Sequence, residues 1–143
     1  MSDRFAGTWR LISFVGRDAE GRETSTYGPK PLGVLMYDWG GRMSVQIARS
    51  DRRQFESGDL FRASPEELKE AFDGYFGYFG RYSVDERSGT VTHHIEGGSF
   101  PNLVGTDQRR DFRWQGDQLV LSTPPERMGG SEITYVATWE RQP

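Results

Sequence analysis

Five polar side chains able to bind a small molecule or move a proton on it are Tyr82, His93, Gln108, Arg110 and Tyr135. An imidazole titrates near neutrality and serves as acid, base or hydrogen-bond donor. A guanidinium offers a planar fork suited to the oxygens of a carboxylate, phosphate or enolate. Phenols and an amide can orient such a group. His94 follows His93 directly and is the reserve candidate for the same role. A metal shared by both imidazoles is not expected, because adjacent strand residues point to opposite faces and only Glu96 offers a third ligand. The chain has no Cys, which excludes disulfides, iron–sulfur sites and thiol nucleophiles. No serine-nucleophile motif, phosphate loop or dinucleotide fingerprint occurs. Of the carboxylates, Glu96 and Asp38 alone could reach a common interior. No cofactor is expected.

These residues must be held by a small scaffold. The chain has 143 residues, enough for one domain, expected over 1–143. Leu, Ile, Val and Phe together make 29 residues, about 20 %, a level at which disorder is an option. The net charge of only −3 and the 19 aromatic residues argue against it. A core rich in rings and punctuated by 18 Gly disfavours a helix bundle and suits a β-barrel or sandwich. The Arg-rich basic set is offset by acids to an isoelectric point near 5.4, which is no nucleic-acid footprint. No run of apolar residues could span a membrane. The start Met1-Ser2-Asp3-Arg4-Phe5 lacks the basic-then-apolar pattern of a secretory signal. A cytoplasmic protein is the expectation.

Short alternating runs between turn signals predict an antiparallel sheet of eight or nine strands. They cover Thr8 to Val15, Glu23 to Tyr27, Gly33 to Asp38, Arg42 to Arg49, Tyr78 to Asp85, Thr90 to Gly97, Thr106 to Gln115, Gln118 to Thr123 and Glu132 to Glu140. Gly40-Gly41 is a hairpin signal, and Pro124 to Gly130 reads as a turn. One helix interrupts them, over about 65–76. Ser64 is its N-cap, Pro65 its first residue, and Leu68, Ala71, Phe72 and Tyr75 recur at helical spacing. The glycine-aromatic run from Gly74 to Gly80 reads as plugs at a helix-to-strand corner.

Strand phase separates inside from outside. Asp107, Arg109, Asp111 and Arg113 are charged at every second position, and four such charges cannot face a dry core. Gln108, Arg110, Phe112 and Trp114 therefore face inward. Val91 and Ile95 carry His93 inward and His94 outward. Tyr82 and Tyr135 point in with their apolar neighbours. Trp9, Leu11, Ser13 and Val15 form one phase of the first strand. The loop with Phe100, Pro101, Asn102 and Leu103 joins the His93 strand to the Arg110 strand and reads as a rim or lid. Asp51-Arg52-Arg53 reads as solvated charge.

Gly7-Thr8-Trp9 resembles the Gly-x-Trp opening of lipocalin and calycin barrels. There the Trp plugs the closed end and is covered by an Arg after the last strand, a place that Arg141 occupies. Gly105-Thr106-Asp107 resembles the Thr-Asp element of the second lipocalin motif. Tyr27-Gly28-Pro29, Gly41-Arg42-Met43-Ser44, Ala71-Phe72-Asp73-Gly74-Tyr75, Val91-Thr92-His93-His94-Ile95-Glu96 and Phe100 to Gly105 are similar to a bacterial and fungal lipocalin-like domain family. The resemblance implies an all-β antiparallel barrel of about eight to ten strands with an internal cavity. The absence of a disulfide and the mid-chain helix depart from secreted lipocalins.

Two functional readings follow. One is an intracellular binding protein for a mostly apolar molecule with one acidic or carbonyl group, held by Gln108, Arg110, Phe112, Trp114, Tyr82, His93, Phe100, Asn102 and Tyr135. The other is a cofactor-free isomerase, cyclase or hydrolase of a secondary-metabolite pathway. There His93 or His94 would move a proton while Arg110 and Tyr82 hold an oxyanion. The expected partner is a small molecule, not nucleic acid or membrane, and the chain is expected to be a monomer or homodimer. A barrel whose lumen is filled would serve neither reading. The state of Arg110 discriminates further. Unpaired, it favours an anionic ligand; paired with Glu96 or Asp38, it favours a structural role.

Overall fold

The computed structural model describes residues 4–143. Met1, Ser2 and Asp3 of the N-terminal signal reading lie outside the described residues. Ten strands form: β1 (Gly7–Asp18), β2 (Glu23–Thr24), β3 (Leu32–Tyr37), β4 (Arg42–Ala48), β5 (Tyr75–Asp85), β6 (Thr90–Gly98), β7 (Asp107–Gln115), β8 (Gln118–Ser122), β9 (Glu126–Met128) and β10 (Ser131–Arg141). Their order is β2-β1-β3-β4-β5-β6-β7-β8-β10-β9, and β1 also pairs with β10. That last ladder runs from Trp9 opposite Arg141 to Asp18 opposite Ile133 and closes an eight-stranded antiparallel barrel. The two extra strands add to its edges: β2 beside Gly16 and Arg17 of β1, β9 beside Ser131 to Ile133 of β10. Both therefore flank the end of the barrel opposite Trp9, which is its mouth.

The closed end is built as the Gly-x-Trp resemblance implies. Trp9 is fully buried and its indole N–H donates to the Phe5 carbonyl at 3.0 Å. The Arg141 guanidinium lies 4.2 Å from the Trp9 ring centre and donates to the carbonyls of Ala6, at 2.8 Å, and Arg4. A side chain at Gly7 would put its Cβ 2.6 Å from that guanidinium, so glycine is what lets the cation settle over the ring. Phe5 packs edge-on against Phe112 and Trp114, and Arg4 covers Trp114 at 4.0 Å. Edge-to-face pairs of this kind gain about 0.5–1.5 kcal/mol beyond area burial.

The inward phases of β4, β6 and β7 are those expected: Met43, Val45 and Ile47 are buried, and so are Val91, His93 and Ile95. In β1 the expected phase fails halfway. The register slips between Leu11 and Ser13, and a bulge turns every later side chain over. Phe14 thus replaces Ser13 and Val15 on the inner wall. A second irregularity lies between Phe79 and Gly80, where β5 meets β6. There a Cβ on Gly80 would stand 1.9 Å from the His94 carbonyl oxygen, which no side chain tolerates.

The helix α1 (Pro65–Asp73) starts where expected, with Ser64 and Glu67 capping each other reciprocally. It ends three residues short of the expected span, and Tyr75 and Phe76 belong to β5. The glycine-aromatic run is therefore strand, with Tyr78 buried inside and Phe79 exposed outside. The apolar spacing of α1 does not bury a face: Leu68 and Phe72 are about half exposed, and Glu67 is the buried residue. Its carboxylate accepts from the backbone of Ser64 and Glu56, which ties the preceding loop down and holds its pKa below the usual range.

Gly80→Ala should lower stability by about 1–3 kcal/mol, because the bulge must move to admit the methyl group. A urea titration followed by tryptophan fluorescence checks this. An unchanged midpoint would show that the β5–β6 contact is not the constraint described.

Candidate functional site

The barrel is not filled. A cavity of about 400 Å³ lies inside it, walled by apolar side chains including Phe14, Leu35, Val45, Ile47, Leu121 and Ala137. This is within the size range of small-molecule pockets, which are mainly apolar with a few placed polar groups. The segment after β2 brings Tyr27 to its rim, the end of β9 brings Met128, and the loop after β6 brings Phe100 and Leu103.

The polar groups gather on one side, where β5, β6, β7 and β9 meet the lumen. His93 is 2 % exposed. Its Nε2 is 2.6 Å from the Tyr37 hydroxyl and its Nδ1 is 2.6 Å from the Tyr78 hydroxyl. Burial, reinforced by the positive charge of Arg110, pushes the imidazole from its ordinary 6.5 down to about 3. It is neutral at physiological pH, with both nitrogens occupied. The same burial raises the phenols of Tyr37 and Tyr78, and at Tyr78 the guanidinium opposes it by charge and hydrogen bonding.

Arg110 lines the cavity with its side chain 12 % exposed. Its Nη1 donates to the Arg109 carbonyl at 3.0 Å and stands 3.6 Å from Oε1 of Glu126. The guanidinium is thus paired, but neither Glu96 nor Asp38 is its partner. Glu96 lies outside, 3.6 Å from Arg42 and 3.8 Å from Arg81. Asp38 accepts from the backbone of Arg42 in the β3–β4 hairpin. Glu126 sits on β9, a strand that the flanking Pro124-Pro125 and Gly129-Gly130 disguise as a turn. The separation of 3.6 Å exceeds hydrogen-bond length, so the pair is held by charge.

Of the residues expected at the site, His93, Gln108, Arg110, Phe100 and Tyr135 share the cavity wall. Gln108 donates to the Thr106 hydroxyl at 2.9 Å. Tyr82 is inward but lies behind Tyr37, ring centres 4.5 Å apart, and donates to the Asp38 carbonyl. Phe112 and Trp114 face inward as the charge alternation requires, but they pack around Phe5 at the closed end and not at the cavity. Asn102 is exposed in the 3-10 turn over Pro101–Leu103, and its neighbour Leu103 reaches the wall instead. His94 is on the outer surface, between the Ser83 hydroxyl at 3.0 Å and the Asp107 carboxylate at 2.8 Å, away from the cavity. No group of three or more metal-ligating side chains clusters among the described residues.

The sequence reading missed Tyr78, Glu126 and Trp139. Trp139 is 1 % exposed, lines the cavity, and has an indole N–H with no partner among the described residues. Its alternation with Tyr135 and Ala137 on β10 was the available signal.

A profile of a lipocalin-like domain matches residues 6–142. The chain belongs to the lipocalin-like domain family. A curated relative, the 4'-hydroxy-3'-methoxypropiophenone carrier protein of Aspergillus oryzae (strain ATCC 42149 / RIB 40), is 35 % identical over 108 residues, covering 71 % of this chain and 97 % of that protein. The Trp9 plug, the closing β1–β10 ladder and the open lumen are the features that such a family architecture organises. No helix among the described residues is long and apolar enough to cross a membrane.

The depressed pKa of His93 has a thermodynamic sign. Between pH 6.5 and about 3 the unfolded chain binds a proton that the folded chain refuses. The neutral His93 therefore contributes stability above pH 6.5 that is lost as pH falls below it, by up to about 1.4 kcal/mol per pH unit. His93→Phe should lack this share of the acid sensitivity, read as a shallower fall of unfolding free energy from pH 7 to 5 than in the wild type. Parallel profiles would mean that the imidazole takes up its proton as readily in the fold as in the unfolded chain.

Proposed function

We propose that this protein binds and carries a small, mostly apolar molecule bearing one acidic or carbonyl group. The observation that supports this best is the 400 Å³ lumen with its apolar wall and one polar side made by His93, Gln108, Arg110 and Tyr135. The relative that is 35 % identical over 108 residues is named as a carrier of 4'-hydroxy-3'-methoxypropiophenone, an aryl ketone. A substituted aromatic ring in the apolar part, with its oxygen toward Arg110, matches the division of this cavity. The protein then works as a single cytoplasmic domain, a monomer or homodimer without cofactor or nucleic-acid partner, serving a secondary-metabolite pathway.

The alternative of a cofactor-free isomerase, cyclase or hydrolase needs a group in the cavity that exchanges protons near neutral pH. His93 is boxed between two phenols and held neutral, and His94 and Tyr82 stand away from the cavity. This favours carriage over catalysis.

Titration of the tryptophan fluorescence with propiophenone and its phenolic derivatives should give saturable one-to-one binding, confirmed by native mass spectrometry. Ala137→Phe places a ring in the lumen and should weaken binding at least about tenfold with the barrel intact by circular dichroism. Absence of saturable binding to aryl ketones and aryl carboxylates alike would sink the carrier reading.

A further inference from the structure

Three polar hydrogens are available to the Tyr37–His93–Tyr78 chain: one on each phenol and one on the neutral imidazole. The two hydrogen bonds at the imidazole consume two of them. One hydroxyl hydrogen is therefore left over, and its owner follows from the surroundings.

Tyr37 is 2 % exposed, does not line the cavity, and has no hydrogen-bond partner but His93 among the described residues. If Tyr37 accepted from the imidazole, its own O–H would be buried without an acceptor, a cost of about 1–3 kcal/mol. Tyr37 must donate to Nε2. The imidazole hydrogen then sits on Nδ1 and is donated to the Tyr78 oxygen, near the positive charge of Arg110. A phenol that accepts the imidazole hydrogen does not spend its own O–H on that bond. Tyr78 lines the cavity.

The charge on the same side is balanced. His93 is neutral, and Arg110 is matched by Glu126 at 3.6 Å. A carboxylate entering next to Arg110 meets Glu126, a like charge that is itself only partly solvated. An uncharged carbonyl meets no such opposition and needs one donor.

We propose that the cavity selects an uncharged carbonyl compound over a carboxylate, with the Tyr78 hydroxyl donating to the carbonyl oxygen and Glu126 holding off the anion. This rests on the carrier reading above and decides between its two ligand classes. It also makes Tyr37 and His93 positioning residues, which fix the direction in which Tyr78 donates.

The test uses three probes that share one phenyl ring: propiophenone, the hydrocarbon propylbenzene and the anion benzoate. Each is titrated into wild type, Tyr78→Phe and Glu126→Gln by calorimetry. The wild type should bind propiophenone at least about tenfold more tightly than benzoate. Tyr78→Phe should lose about tenfold for propiophenone, the size of one hydrogen bond, and keep its affinity for propylbenzene. Glu126→Gln should raise benzoate affinity about tenfold or more and change propiophenone little. Equal losses for ketone and hydrocarbon in Tyr78→Phe would reduce Tyr78 to a wall residue and overturn the proposal. Benzoate binding as tight as propiophenone in the wild type would overturn it too, while leaving the carrier reading standing. Binding of none of the three would remove both.

Discussion

The ladder between β1 and β10 is the constraint on which the other features depend. It joins the first long strand to the last, pairing Trp9 with Arg141 at one end and Asp18 with Ile133 at the other. Closure removes the open sheet edges that would otherwise need cover, and it creates an inside. It also brings Arg141 over Trp9, so the chain ends clamp the same ring that seals the base. With the base sealed by Trp9, Phe5 and Trp114, the lumen can stay open toward the mouth. The β1 bulge belongs to this arrangement. It lets Trp9 and Leu11 serve the plug while Phe14, three residues on from Leu11, serves the cavity wall.

A low aliphatic content is physically reasonable in such a molecule. A solid core must fill a volume at crystal-like density, whereas a barrel around a cavity needs a plug and a lining. Aromatic residues supply both here. Phe5, Trp9, Phe112 and Trp114 are in ring contact at the base, and Tyr37, Tyr78 and His93 are in ring contact beside the lumen. The glycines serve close approaches more than flexibility. Gly7 makes room for a guanidinium and Gly80 for a carbonyl.

What the sequence revealed followed from strict periodicity. Charges at Asp107, Arg109, Asp111 and Arg113 could only face water, and that single fact turned Gln108 and Arg110 inward. Val91 and Ile95 did the same for His93. The Trp9 and Arg141 pair was legible because its two members bracket the barrel in a recognisable pattern. Legibility stopped wherever the outcome depended on strands far apart in sequence. The partners of His93 come from β3 and β5, and no local pattern links Tyr37 or Tyr78 to it. Glu126 lies on a three-residue strand between two turn-forming pairs, and pairing with β10 is what orders it. The register slip in β1 has no residue signature of its own, so alternation misassigned Ser13 and Val15. In α1 the helical spacing was correct, but the helix packs lightly against the barrel and leaves Leu68 and Phe72 exposed.

The placement of the ionisable groups is what the proposed carrier role rests on. A general base must gain and lose a proton within reach of its substrate, near the working pH. In this barrel the imidazole that faces inward has been taken out of that range by burial, and both its nitrogens are committed to phenols. The other imidazole, His94, is on the outer wall, hydrogen-bonded to Ser83 and Asp107. Arg110 could stabilise an oxyanion, but its charge already has a carboxylate counterpart on β9. His93 is thereby held neutral and in one orientation. Fixed dipoles in an apolar-walled lumen are well suited to recognising a polar substituent on an apolar molecule, because they need no reorganisation on binding.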